Sequence, residues 1–157
     1  MPTSILFVCL GNICRSPMAE ACFRHLTATR GVADAFVIDS AGTGSWHAGS
    51  RPHPQTQAEL VRNGIEVGNG VARQVTPADF SSHAHIVAMD QDNLADLERL
   101  ASQLPATTAN CTLLLDHARS TDLRDVPDPY YEGGFDAVFD LVMDGCTGLL
   151  DTLLAQA

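Results

Sequence analysis

The chain has 157 residues and a net charge of −10 at neutral pH, set by 19 acidic residues against nine arginines and no lysine. Such a surface repels polyanions on average, which argues against nucleic acid as a partner and requires any anionic ligand to be met by a local island of arginine and backbone N–H groups. Hydrophobic residues make up 45 % and charged residues 18 %, no apolar run approaches the ~18 residues of a membrane span, and five scattered cysteines do not resemble a disulfide framework.

These features predict one domain over residues 1–157, soluble in a reducing cytoplasm, not inserted in a membrane and monomeric. The first apolar run, Ile5–Leu10, has no basic flank and reads as a buried strand, not a signal peptide. Further short runs rich in Val, Ile or Leu fall at Phe36–Asp39, His85–Met89 and Cys111–Leu115, and suit a sheet buried on both faces. Between them lie helical segments at Pro17–Thr29, Pro54–Asn63 and Asp92–Gln103. A last helix carries one apolar stripe through Phe135, Val138, Phe139, Val142, Cys146, Leu149, Leu150 and Leu153. This alternation predicts an α/β fold, an open parallel sheet with helices on both faces.

The segment Val8-Cys9-Leu10-Gly11-Asn12-Ile13-Cys14-Arg15-Ser16-Pro17 joins the first strand to a helix, where open parallel sheets place their ligands. Gly11 and Asn12 tolerate left-handed backbone angles, so the loop can curl until its N–H groups converge, and the helix that follows adds its positive end. Arg15 supplies a planar fork for two phosphate oxygens, on the far side of the concavity from the Cys9 sulfur. The same field, with a hydroxyl such as Ser16, favours a thiolate and makes Cys9 a candidate nucleophile. The Cys-x5-Arg spacing alone is weak. Its coincidence with a strand before it, Gly-Asn inside it and Ser-Pro after it is much stronger.

Cleavage of a phosphate ester also needs a proton for the leaving oxygen. Asp128, within Asp128-Pro129-Tyr130-Tyr131, is the candidate acid: Pro127 and Pro129 are expected to exclude regular helix around it, and the two tyrosines could wall a slot for an aromatic leaving group.

With these residues in view, the chain resembles the low-molecular-weight protein tyrosine phosphatases over nearly its whole length. The loop Val8–Pro17, Asp39-Ser40-Ala41-Gly42-Thr43, Met89-Asp90 with Asn93-Leu94, and Asp128–Tyr131 carry the resemblance. It implies a four-stranded parallel sheet, no metal or cofactor, and hydrolysis of phosphotyrosine and aryl phosphates through a phosphocysteine on Cys9, with inorganic phosphate as product. It further implies Arg15 as clamp, Asp128 as general acid and then base, Ser16 stabilising the thiolate, and Asn12 and Ser40 bracing the phosphate-binding loop Leu10–Ser16. Trp46, in a glycine-rich loop, becomes a rim residue with Tyr130 and Tyr131, and Cys14 a redox partner of Cys9. The resemblance departs at Gly70, where the family often has a histidine that helps hold the loop asparagine.

Other residues make weaker claims. Asp90 reads as a helix cap, Cys22, Cys111 and Cys146 as core, and His83 with His85 lacks the further ligands a metal site needs. Two rival functions share the scaffold. An arsenate reductase would need a mobile relay of further thiols, and a phosphopeptide-binding module would have no use for both Cys9 and Asp128.

Overall fold

The computed structural model describes residues 1–157. Four strands form one parallel sheet: β1 (Thr3–Cys9), β2 (Phe36–Gly42), β3 (His85–Ala88) and β4 (Asn110–Leu113), in the order β2-β1-β3-β4. The helices are α1 (Arg15–Thr29), α2 (Pro54–Arg62), the short α3 (Asp79–Ser82), α4 (Gln91–Ser102), the short α5 (Pro129–Glu132) and α6 (Phe135–Ala155). The expected four-stranded α/β architecture is therefore present.

β1 is central because Ile5–Cys9 are buried on both faces. Ile5, Phe7 and Cys9 face one apolar layer with Met18 and Phe23 of α1 and Val142, Cys146 and Leu150 of α6. Leu6 and Val8, on the opposite face, meet Phe80 of α3, Ile86 of β3 and Leu97 of α4. The strand order reverses direction at β1, since the chain moves to β2 on one side and later to β3 and β4 on the other. The loop leaving β1 therefore opens at the switch point of the sheet, in the crevice such folds use for ligands.

Several boundaries differ from the sequence reading. α1 starts at Arg15, two residues before Pro17, so Arg15 and Ser16 occupy its first turn and are aimed by it; proline is tolerated there because its missing N–H would be unpaired anyway. β2 runs on to Gly42 because the end of β1 offers a partner, Cys9 opposite Gly42. β4 stops at Leu113, and Leu114–His117 close into a 3₁₀ turn under α6. Gly148 of α6 makes that contact possible, since a Cβ there would lie 1.7 Å from the His117 carbonyl oxygen. The expectation that Pro127 and Pro129 exclude helix is wrong at Pro129. Proline is well suited to the first position of a helix, and α5 begins on it. Cys22 and Cys146 are buried core, whereas Cys111 is only half-buried.

Candidate active site

Cys9 ends β1 with its side chain almost fully buried. The loop beyond it turns at Asn12, whose φ is +57°, and not at Gly11, so only one of the two candidate residues takes the left-handed conformation. At Gly11 the constraint is close approach instead: a Cβ there would sit 3.0 Å from Cδ2 of His47, tight unless that ring shifts. The Asn12 N–H donates to Cys9 Sγ (3.3 Å). The N–H groups of Leu10, Gly11, Ile13 and Cys14 have no acceptor in the chain, so the loop keeps a set of donors in reserve for an anion. Its carbonyls are tied outward, with Thr43, Gly44 and His53 N–H donating to the oxygens of Cys9, Leu10 and Ile13 at 2.9, 2.9 and 2.7 Å.

A hydrogen-bonded chain converges on the sulfur. The Asn12 side-chain amide donates to Ser16 Oγ (2.8 Å) and Ser40 Oγ (3.0 Å), while its carbonyl accepts from the Arg73 N–H (3.0 Å), which fixes the orientation of the amide. Ser40 passes its own hydroxyl proton toward Glu20 Oε1 (2.6 Å). With its oxygen already accepting from Asn12, Ser16 has one hydrogen to give, and Cys9 Sγ at 3.0 Å is nearer than the Ala41 carbonyl at 3.4 Å. Ser16 is thereby directed to donate to the sulfur.

The Arg15 residue is 2 % exposed. Its Nη1 donates to Asp90 Oδ2 (2.6 Å) and to the Val126 carbonyl (2.8 Å), and its Nη2 lies 3.5 Å from Asp128 Oδ2. Burial alone would weaken the cation, but the Cys9 and Asp90 charges outweigh it and hold Arg15 above its usual range. Nε is buried without a partner in the chain. One corner of the fork is thus used to fix the side chain, while on the other edge Nε has no partner and Nη2 has only the 3.5 Å approach of Asp128, an arrangement able to take two oxygens of an anion.

Asp128 caps α5, its Oδ1 accepting from the Tyr130 N–H (3.1 Å). Cys9, Leu10, Gly11, Ile13, Cys14, Arg15 and Asp128 line one cavity of about 330 Å³, walled by Trp46, His47, Tyr130 and Tyr131. Trp46 and Tyr131 are 73 % and 74 % exposed, while Tyr130 packs against His47 and Tyr131 with ring centroids 5.8 and 5.1 Å apart. Asn12, Ser16 and Ser40 stand behind the loop, outside the cavity. Burial, together with the Cys9 and Asp128 charges, pushes the Cys14 thiol up to about 12. His83 contacts Asp79, with Nδ1 3.5 Å from Oδ1.

Sequence reasoning missed three contributors. Asp90 does cap α4, through Oδ1 and the Asn93 N–H (2.7 Å), but its second oxygen anchors Arg15. Its place just after β3, beside β1 in the sheet, was the available signal. Glu20 and Arg73 brace the loop from α1 and from the segment after α2, and no local motif marks them.

The sequence profile described as low molecular weight phosphotyrosine protein phosphatase matches residues 4–157. The chain is 47 % identical over 150 residues to the low molecular weight protein-tyrosine-phosphatase YfkJ of Bacillus subtilis, covering 96 % of this chain and 95 % of that one. It is 40 % identical over 150 residues to the low molecular weight phosphotyrosine protein phosphatase of Sus scrofa, covering 94 % of each. The crystal structure of the Bacillus subtilis YfkJ superposes with a TM-score of 0.94, covering 99 % of this chain and 97 % of that one. With this agreement in sequence and fold, the chain belongs to the low molecular weight phosphotyrosine protein phosphatase family and is a cysteine-dependent phosphatase.

Proposed function

We propose that the chain hydrolyses phosphotyrosine in protein substrates, with Cys9 as nucleophile, Arg15 as clamp and Asp128 as general acid and base. The observation that carries this reading is the convergence of these three side chains, from β1, the start of α1 and the start of α5, on one cavity walled by aromatic rings. In the first step the Cys9 thiolate attacks phosphorus. The S–P bond forms as the bond to the phenolic oxygen breaks, and Asp128 gives that oxygen its proton. In the second step water attacks the phosphocysteine, its proton passes to Asp128, and the S–P bond breaks to release inorganic phosphate and the thiolate. Arg15 and the loop N–H groups hold the equatorial oxygens throughout, where charge is greatest in the transition state. No helix is long and apolar enough to cross a membrane, and all five cysteines are free thiols.

Cys14 lines the same cavity as Cys9, which supports a protective role. Peroxide oxidises the Cys9 thiolate to a sulfenic acid, and attack by the Cys14 sulfur forms the disulfide and expels water.

The deciding experiment is substrate trapping with Cys9→Ser, which keeps Arg15 and the donor loop but lacks the attacking sulfur. The variant should retain phosphotyrosyl proteins and release them to phosphate or vanadate. Ordinary turnover by Cys9→Ser, or retained proteins lacking phosphotyrosine, would refute the assignment.

A further inference from the structure

A second hollow of about 260 Å³ lies beside the catalytic cavity, between the β1 loop, the Thr43–Trp46 segment and the last turns of α4. The two share Leu10 and Trp46 as walls. The partition between them is built. The Gly44 N–H donates to the Leu10 carbonyl (2.9 Å), and the Trp46 indole lies back over Gly44 so closely that a Cβ there would fall 1.8 Å from Cζ3. The far wall is Leu100, an exposed leucine of α4, and Arg99. Arg99 pairs with Asp96 (2.9 Å), which also lines the hollow, so its rim carries no net charge.

We infer that this hollow is a substrate subsite, and that it takes an apolar side chain of the segment flanking the phosphotyrosine. The inference rests on the phosphotyrosyl-protein reading above. A polypeptide whose phosphotyrosine fills the catalytic cavity has to leave it over the rim, and Trp46 is the part of the rim that serves both spaces. Three large apolar groups, Leu10, Trp46 and Leu100, then face a space adjoining the proposed substrate site, and covering them removes apolar surface from water. The neutral Arg99–Asp96 pair gives neither an acidic nor a basic flanking residue an advantage. A small aryl phosphate reaches only the first cavity and is indifferent to the second.

The test compares p-nitrophenyl phosphate with a panel of phosphotyrosyl peptides of Ala/Ser background, each carrying one leucine at one of the three positions before or after the phosphotyrosine. Wild type should favour the leucine at one position by roughly five- to tenfold in kcat/KM, the scale of a partly enclosed apolar contact. Leu100→Asp should abolish that preference and leave p-nitrophenyl phosphate turnover unchanged. No positional preference in wild type, or a preference that survives Leu100→Asp, overturns the subsite while the phosphatase assignment stands. A parallel fall with peptides and p-nitrophenyl phosphate would also overturn it, since the change would then act on the catalytic centre. Wild type that hydrolyses p-nitrophenyl phosphate but none of the peptides would overturn both the subsite and the phosphotyrosyl reading.

Discussion

Asp90 offers the sharpest test of how Arg15 is held, because its two oxygens do different jobs that substitutions can separate. Oδ1 caps α4, whereas Oδ2 lies 2.6 Å from the buried Nη1 of Arg15. Asparagine keeps an oxygen for the cap but sets an N–H donor, or no charge, against Nη1. Alanine loses both functions. Removing one member of a fully buried ion pair costs about 3–5 kcal/mol. Here the Asp90 side chain is 19 % exposed, and Arg15 keeps the Val126 carbonyl and Asp128, so about 1–3 kcal/mol is the better expectation for the loss of the pair. If it is lost from the transition state, this becomes a fall in kcat of about 5- to 150-fold for Asp90→Asn, at 1.4 kcal/mol per factor of ten. KM should change little, since Arg15 stays charged and only its aim is loosened. Asp90→Ala should lose a further 1 kcal/mol or so of stability, the usual value of an N-cap. Steady-state kinetics with p-nitrophenyl phosphate and urea denaturation of both variants give the two quantities separately. A kcat within a factor of two of wild type in Asp90→Asn would refute the idea that Asp90 positions Arg15.

Asp128→Asn should lower kcat for tyrosyl esters by roughly two to four orders of magnitude, and by less for leaving groups of low pKa; equal losses across leaving groups would make Asp128 structural. Gly148→Ala gains about 1 kcal/mol of helix propensity. It also drives a methyl into the His117 carbonyl, so a net loss of about 2 kcal/mol is expected and a raised Tm would contradict the packing. Burial pushes the Cys22 thiol from 9.0 up to about 12. The unfolded chain therefore ionises first, and the stability this thiol contributes is whole below pH 9 and lost as pH rises toward 12. Cys22→Ala should reduce the slope of stability against pH in that window by roughly 1 kcal/mol per unit, and an unchanged slope in denaturant titrations would count against it. After peroxide, dithiothreitol should restore wild type but much less of Cys14→Ala. Because burial, the main cause of its raised pKa, keeps the Cys14 thiol protonated at neutral pH, formation of the disulfide should quicken as pH rises from 7 to 9; a flat rate would remove Cys14 as the attacking group.

The parts of this protein legible in its sequence are those in which chemistry and periodicity are local. β1 reads as a buried strand because Ile5–Val8 are apolar on both faces, and α6 as a helix because its stripe repeats over more than four turns. The Cys9–Arg15 loop is legible because a strand, a turn and a helix start follow one another within ten residues. Asp90 and Arg15 lie 75 positions apart, and nothing near Asp90 reveals that a guanidinium will come to its free oxygen. The left-handed residue could have been either of two neighbours. Asn12 takes it, and its side chain goes to Ser16, Ser40 and the Arg73 N–H, contacts that glycine could not make. At Pro129 two properties of proline competed, and once Asp128 supplied a cap the helix-starting one prevailed.

The alignment of Asn12 rests on a main-chain donor. The carbonyl of Asn12 needs a donor, since the buried amide can hold Ser16 and Ser40 only if its oxygen is satisfied elsewhere. The Arg73 N–H supplies it at 3.0 Å, and a main-chain donor is only as steady as the chain that carries it. Arg73 is steadied by its own side chain. Nη1 and Nη2 bind both oxygens of Asp79 at 3.0 Å, Nη2 also reaches Asp39 Oδ2 at 3.0 Å, and Asp39 Oδ1 accepts the N–H of Ser40 at 2.8 Å. Burial would raise the Asp79 carboxyl, but Arg73 and the Thr76 N–H outweigh it and keep Asp79 below its usual range, so the pair stays ionised at neutral pH. The brace on Asn12 is thus made from a backbone N–H locked by a forked ion pair. It ends on two groups, Asn12 and Ser40, from which Ser16 and the Cys9 sulfur are aligned.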